Sequence, residues 1–240
     1  MNRYLAAIIF ALLPAGHVIA LVGGTEVSSR EFSGEFPWMV SVVDRVDGSL
    51  CGGVLVSPEW VLTAAHCTNN KRVVMLGNVR NTDARRVEIL RAVRHPKFDS
   101  STYEYDVGLL RLSEPVDISP VDLLQETDEP DWLRQRSTAY ILGWGRLPNG
   151  RLPGSLMSAP VSISSMIIEA TYFGVSGSTG PCHRDSGGPL LVSMQEGWLL
   201  AGIISVTGGN LCAQGGGVSF YARLTAMQEF ILDTVHDLPE

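Results

Sequence analysis

The chain has 240 residues, 45% of them hydrophobic and only 18% charged, with a formal charge of −7. That length and apolar content suffice for one large or two small packed cores and exclude a disordered chain. The acidic balance, 18 Lys and Arg against 25 Asp and Glu, excludes a nucleic-acid binder, because phosphate contact needs clustered cations.

The first segment reads as a secretory signal over residues 1–20. Arg3 gives it a positive start, Leu5 to Leu13 is an unbroken apolar run, and Val18 and Ala20 are small residues where a signal peptidase reads. Nine apolar residues fall short of the roughly 20 needed to cross a bilayer. The expectation is therefore an exported protein, extracellular or periplasmic, with no membrane attachment after signal removal. Four cysteines in such a chain favour two disulfides, with three pairings open, and no pair has the close spacing of structural zinc ligands.

Short apolar segments follow at turn-bounded intervals: Trp38 to Val43, Leu50 to Val56, Trp60 to Ala64, Val73 to Leu76, Val87 to Val93 and Val107 to Leu112. An acidic, proline-containing stretch from Ser113 to Asp131 separates them from a second set at Ala139 to Gly143, Ala159 to Ile163, Leu190 to Ser193, Trp198 to Val206 and Val218 to Leu224. This spacing predicts an all-β protein. A short helix is predicted within Ser164 to Phe173. A C-terminal helix is predicted over about 225–236, where Thr225 and Gln228 form a capping-box pattern and Met227, Phe230, Ile231 and Val235 share a face. Trp38, Trp60 and Trp198 read as core packing, and His95, before Pro96, as part of a surface turn.

Three motifs carry chemistry. They are Leu62-Thr63-Ala64-Ala65-His66-Cys67, Tyr105-Asp106-Val107-Gly108-Leu109-Leu110, and Cys182-His183-Arg184-Asp185-Ser186-Gly187-Gly188-Pro189-Leu190. A serine hydroxyl is a poor nucleophile until a base takes its proton and a third group orients that base. The order His, Asp, Ser is one of three known for such triads. With Gly143-Trp144-Gly145 and Leu21-Val22-Gly23-Gly24, these motifs resemble the chymotrypsin/trypsin family of serine proteases from Leu21 to the C-terminus.

The resemblance implies two packed antiparallel six-stranded β-barrels with a C-terminal helix. The peptidase domain would occupy 21–240, with the first barrel at about 21–118, the second at about 132–224, and the active site between them. It implies Ser186 as nucleophile, His66 as general base and Asp106 as the group that orients the imidazole. The backbone N–H groups of Arg184 and Ser186 would form the oxyanion hole. Leu21, freed by cleavage after Ala20, would place its amine beside Asp185, so that signal removal itself creates the activating terminus. The disulfides implied are Cys51 with Cys67 and Cys182 with Cys212.

Two departures from the family pattern matter. Arg184 stands where glycine is usual, which keeps the N–H donor but adds a cationic side chain toward the leaving-group side. The substrate pocket is implied at Gly180, Pro181, Ser205, Val206, Thr207 and Ser219. Gly180 at its floor argues against a preference for Arg or Lys. Thr207 on its wall makes it closer to elastase-like members, with small or medium apolar residues before the cleaved bond. The function expected is a secreted, monomeric serine endopeptidase acting on polypeptides and open to protein inhibitors; the alternative is a weakly active or inactive homologue that binds partners through the same cleft. No cofactor is implied, and Arg85 and Arg86 stand where an acidic calcium cage would lie.

Overall fold

The computed structural model describes residues 21–69, 71–130, 139–162, 166–177, 179–194, 197–208 and 217–236. After the two-residue strand β1 (Thr25–Glu26), a helix α1 (Ser29–Glu35) starts at a capping box. The Glu31 N–H donates to Ser28 Oγ and the Ser28 N–H to Glu31 Oε2, which satisfies two groups that a first turn leaves open. This helix is absent from the predicted elements, although Ser28 and Glu31 carry its signal.

The aliphatic runs of the first half form β2 (Met39–Asp44), β3 (Leu50–Ser57), β4 (Trp60–Thr63), β5 (Arg72–Leu76), β6 (Arg85–Val87), β7 (Ile89–Arg94) and β8 (Gly108–Leu112). They pair antiparallel in the order β6-β5-β2-β3-β4-β8-β7. The strands at the two ends of that path flank Glu88 in the chain, so one bent strand closes the sheet into a six-stranded barrel. The second half supplies β9 (Asp122–Leu123), β10 (Ala139–Gly143), β11 (Met157–Val161), β12 (Met166–Ile168), β13 (Tyr172–Gly177), β14 (Pro189–Met194), β15 (Gly197–Gly208) and β16 (Gly217–Arg223). Their order is β1-β11-β10-β14-β15-β16-β13-β12, with β9 added parallel to β15. Residues 21–26 thus belong with the second barrel: β1 pairs with β11, and Leu21 lies in that barrel's core.

Two predicted helices turn out differently. Residues 163–165 are outside the described chain, and from Met166 the segment is a β-hairpin, with Met166 opposite Val175 and Ile168 opposite Phe173. The ladder from Tyr172–Ala222 to Gly177–Gly217 decides this, since long-range pairing outweighs a weak local helical preference. At the C-terminus a 3-10 turn (Leu224–Met227) precedes a shorter helix α2 (Gln228–Thr234). The capping box does not form. Thr225 Oγ1 donates instead to the buried Glu129 carboxylate, which also accepts from Arg223 Nε at 3.0 Å and from Arg223 Nη2.

One hydrophobic cluster runs through both barrels, from Val54, Leu62 and Leu110 to Leu142, Leu191, Ile203 and, on α2, Ile231. Each such side chain contributes about 1.5–3 kcal/mol by leaving water. A second cluster fills the second barrel around Leu21, Ile141, Phe173, Leu190 and Tyr221. Among the described residues, no helix is long and apolar enough to cross a membrane.

Candidate active site

His66 sits on a 3-10 turn (Ala65–Cys67) that leaves β4, and the Cys51–Cys67 disulfide fastens this turn to β3. Asp106 ends the loop that enters β8. Because Thr63 on β4 is opposite Gly108 on β8, the two ladders deliver imidazole and carboxylate side by side. His66 Nδ1 lies 2.8 Å from Asp106 Oδ2, and the His66 backbone N–H donates to Oδ1 at 3.0 Å. A third donor, Ser205 Oγ, reaches Oδ2 at 2.5 Å. An ionised carboxylate only accepts, so Nδ1 carries the proton and Nε2 is left as the free base. Cys51 and Cys67 also lie close to His66, but both sulfurs are spent in the disulfide and Nδ1 faces Asp106, so this cluster is no metal site.

The approach to Asp106 is strained. Tyr103 and Tyr105 have φ of 60° and 55°, each costing about 1–2 kcal/mol for an L residue. His95 supports the second: its ring stacks on Tyr105 at 4.7 Å and meets Phe230 edge-on at 4.7 Å. His95 opens the expected exposed turn at Pro96 and Lys97, its carbonyl accepting the Phe98 N–H at 3.0 Å, but its side chain is buried. Burial, with Lys97 nearby, lowers its pKa, and its Nδ1 accepts the Lys97 N–H at 3.2 Å.

Ser186 enters from the second barrel on the turn before β14. Gly187 has φ of 84°, and a Cβ there would lie 2.3 Å from both the Gly52 carbonyl oxygen and Thr63 Oγ1, so only glycine lets this turn approach the first barrel. The Gly52 N–H donates to the Ser186 carbonyl at 2.8 Å across that contact. The Ser186 hydroxyl donates to the Ser205 carbonyl at 3.1 Å. Ser205 thus links both halves, its carbonyl holding Ser186 and its hydroxyl holding Asp106. Among the described residues, neither the Arg184 nor the Ser186 N–H has an acceptor.

Asp185 points the other way, into the second barrel, and is fully buried. Its carboxyl accepts from the Gly145 N–H and the Cys182 N–H, both at 2.8 Å. A Cβ on Gly143 or Gly145 would fall within 2.4 Å of that carboxyl, which explains the Gly-Trp-Gly segment wrapped round it. Burial pushes the pKa of Asp185 up to about 7 against these two stabilising bonds. Leu21 is completely buried in the core of the second barrel, and Val22 forms a two-way backbone bridge with Gly180 at 3.0 and 3.2 Å.

A family model described as Trypsin matches residues 21–231. The chain belongs to the trypsin family. It is 31% identical over 253 residues to Transmembrane protease serine 9 of Rattus norvegicus, covering 94% of this chain and 23% of that protein. It is likewise 31% identical over 206 residues to Atrial natriuretic peptide-converting enzyme of Homo sapiens, covering 75% of this chain and 19% of that protein. The chain spans less than a quarter of the length of either relative. As a trypsin-family domain it is a serine endopeptidase domain.

Within that trypsin-family frame, Arg184 adopts a φ of 80°, a left-handed conformation in which a side chain is strained. Its guanidinium reaches the first barrel, with Nη1 3.5 Å from the Gly48 carbonyl in the β2–β3 hairpin. Of the residues expected to line the pocket, Thr207 and Ser219 are direct partners across β15 and β16. Ser219 is buried and bonds Val175 O and Tyr221 OH. Gly180 and Pro181 are also buried, and Gly180 is held by Val22. Cys182 is disulfide-bonded, while Cys212 lies outside the described residues. Sequence motifs did not point to Tyr103, whose ring meets His66 edge-on at 5.6 Å, or to Tyr172 and Phe220 beside Val206. Only the register of β13 on β16 brings the last two together, and no local signal encodes it.

Proposed function

We propose that this protein is an exported serine endopeptidase in which Ser186 attacks the peptide carbonyl, His66 takes and returns the proton, and Asp106 holds the imidazole. The observation that carries this reading is the hydrogen-bond chain Ser186–Ser205–Asp106–His66 drawn from both barrels. Rotation of Ser186 about χ1 exchanges the Ser205 carbonyl for His66 Nε2, which then serves as base toward the hydroxyl and as acid toward the leaving amine. The acceptor-free N–H groups of Arg184 and Ser186 receive the developing oxyanion, a contribution of about 10²–10³ in rate per donor. Cleavage before Leu21 frees an amine that pairs with Asp185 and supplies the counter-charge its buried carboxyl lacks.

The substrates are polypeptides with a small or medium apolar residue before the cleaved bond, a preference supported by the uncharged Gly180 and by Thr207 facing Ser219. Export is supported by the Cys51–Cys67 disulfide, a bond of oxidising compartments. Purified protein beginning at Leu21 should hydrolyse an apolar peptide library, and Ser186→Ala should abolish that turnover. Turnover that survives Ser186→Ala would refute the assignment. A second reading, a weakly active or inactive homologue that binds partners through the cleft, is favoured by Arg184 at positive φ with its guanidinium reaching the Gly48 carbonyl. It requires wild-type turnover to be no greater than that of Ser186→Ala while peptide binding persists.

A further inference from the structure

A hollow of about 240 Å³ opens in the first barrel, with Arg45, Asn69, Arg72, Leu90 and Arg91 among its walls. No residue assigned to catalysis or to the primary pocket lines it, and neither does any described Asp or Glu. Arg72 is only 8% exposed. It stands opposite Asp44 across the β2–β5 ladder, but the Asp44 carboxyl accepts from the Val46 N–H at 2.9 Å and from Asn69 Nδ2 at 3.0 Å. Among the described residues Arg72 forms no ion pair: Nη1 donates to the Val42 carbonyl at 3.2 Å, and Nε has no acceptor. Burial holds its pKa below the ordinary arginine value, against the pull of Asp44 and Asp47. At the rim, Arg45 and Arg86 share the one Glu88 carboxylate, and Arg91 has no ion-pair partner among the described residues. An apolar residue stands beside these cations. The register of β7 on β8 shifts between Ile89 and Arg91, and this bulge turns Leu90 outward, 67% exposed.

We infer that this hollow is a docking site, outside the cleft, for an acidic segment of the polypeptide substrate: a Glu or Asp carboxylate enters beside Arg72, and an apolar neighbour covers Leu90. The occupant's identity as substrate rests on the serine endopeptidase reading; the binding itself does not. Charge supports the occupant. In a chain of net charge −7, three arginines lining one hollow are a local reversal of sign. A guanidinium matches a carboxylate with two parallel hydrogen bonds, and the attraction strengthens where water is excluded, as at Arg72. Size allows it, since a cavity of about 150 Å³ admits benzene and this one is larger. Leu90 selects a peptide over a sulfated glycan, which carries anions but no apolar side chain. Position ties the hollow to the cleft: Asn69 lies three residues after His66, at most about 11 Å of chain away, so one bound polypeptide can occupy both places.

The test titrates a fluorescein-labelled peptide of about ten residues, rich in Glu with one central Leu, onto Ser186→Ala protein and reads anisotropy. Binding should saturate, and it should weaken about tenfold or more when the peptide's Glu residues become Gln or when the protein carries Arg91→Glu. Leu90→Ser should weaken it about threefold or more. Arg72→Met should act like Arg91→Glu; should that buried change prevent folding, as judged by circular dichroism, the rim variant decides. On active protein, a cleavable peptide with the acidic segment attached should exceed the same peptide without it by about fivefold or more in kcat/KM. Arg91→Glu should erase that advantage and leave the shorter peptide's turnover unchanged. Equal affinity for the Glu and Gln peptides, or affinity indifferent to Arg91→Glu, would overturn the docking site, as would a sulfated polysaccharide binding there when the Glu peptide does not. Arg91-dependent binding with Ser186-dependent turnover but no advantage for the longer substrate would overturn the substrate as occupant. Arg91-dependent binding in protein without Ser186-dependent turnover would uphold the docking site and sink the peptidase reading.

Discussion

At Asp185, burial and backbone donation pull in opposite directions, and burial wins. Its folded pKa of about 7 lies above the ordinary aspartate value of 3.8, so between those limits the folded state holds a proton that the unfolded state has lost. Stability of a chain uncut before Leu21 should therefore fall as pH rises from about 4 to 7. Freeing the Leu21 amine should flatten that fall, because the ammonium stabilises the ionised carboxyl. Urea unfolding of cut and uncut protein at the two ends of the window checks this, and identical pH profiles would contradict the pairing. Arg184 gives a second residue-scale expectation. Arg184→Gly should relieve about 1 kcal/mol of backbone strain and raise the midpoint of thermal unfolding. It should also raise kcat/KM on ordinary peptides severalfold by clearing the cleft; a lower rate would show that the guanidinium assists substrate.

At the scale of elements, the Cys51–Cys67 bond ties the His66 turn to β3. Replacing both cysteines by alanine should cost about 3 kcal/mol in chain entropy, and the looser turn should lower kcat more than it raises KM. Equal stability of the variant and the parent by denaturant titration would contradict this. Much of this level was legible in the sequence: the bounds of β3, β5, β10 and β14 follow directly from aliphatic runs and their flanking turns. His66, Asp106 and Ser186 were legible because each lies in a short contiguous motif next to a strand end. What was not legible depends on partners far along the chain. Residues 166–177 form a hairpin whose second strand pairs with β16, Thr225 is drawn from its helix to Glu129, and the His95 ring is buried by Tyr105 and Phe230. Tyr172 and Phe220, which line a cavity with Val206, are brought together by the register of β13 on β16.

For the whole molecule, the chief constraint is that the proposed site has no complete half. His66 and Asp106 come from one barrel, Ser186 and Ser205 from the other, and the Gly52–Ser186 backbone bond and a shared core hold the two together. The barrels should consequently unfold in one transition, with tryptophan fluorescence and far-ultraviolet circular dichroism coincident in denaturant. Separate transitions would mean that the shared cluster does not couple them. The peptidase assignment itself is tested most directly by reacting protein that begins at Leu21 with a fluorophosphonate and locating the adduct by mass spectrometry. One adduct per chain on Ser186, lost in His66→Ala, is the expected result. An unlabelled Ser186 in folded protein, or labelling indifferent to His66, would contradict it.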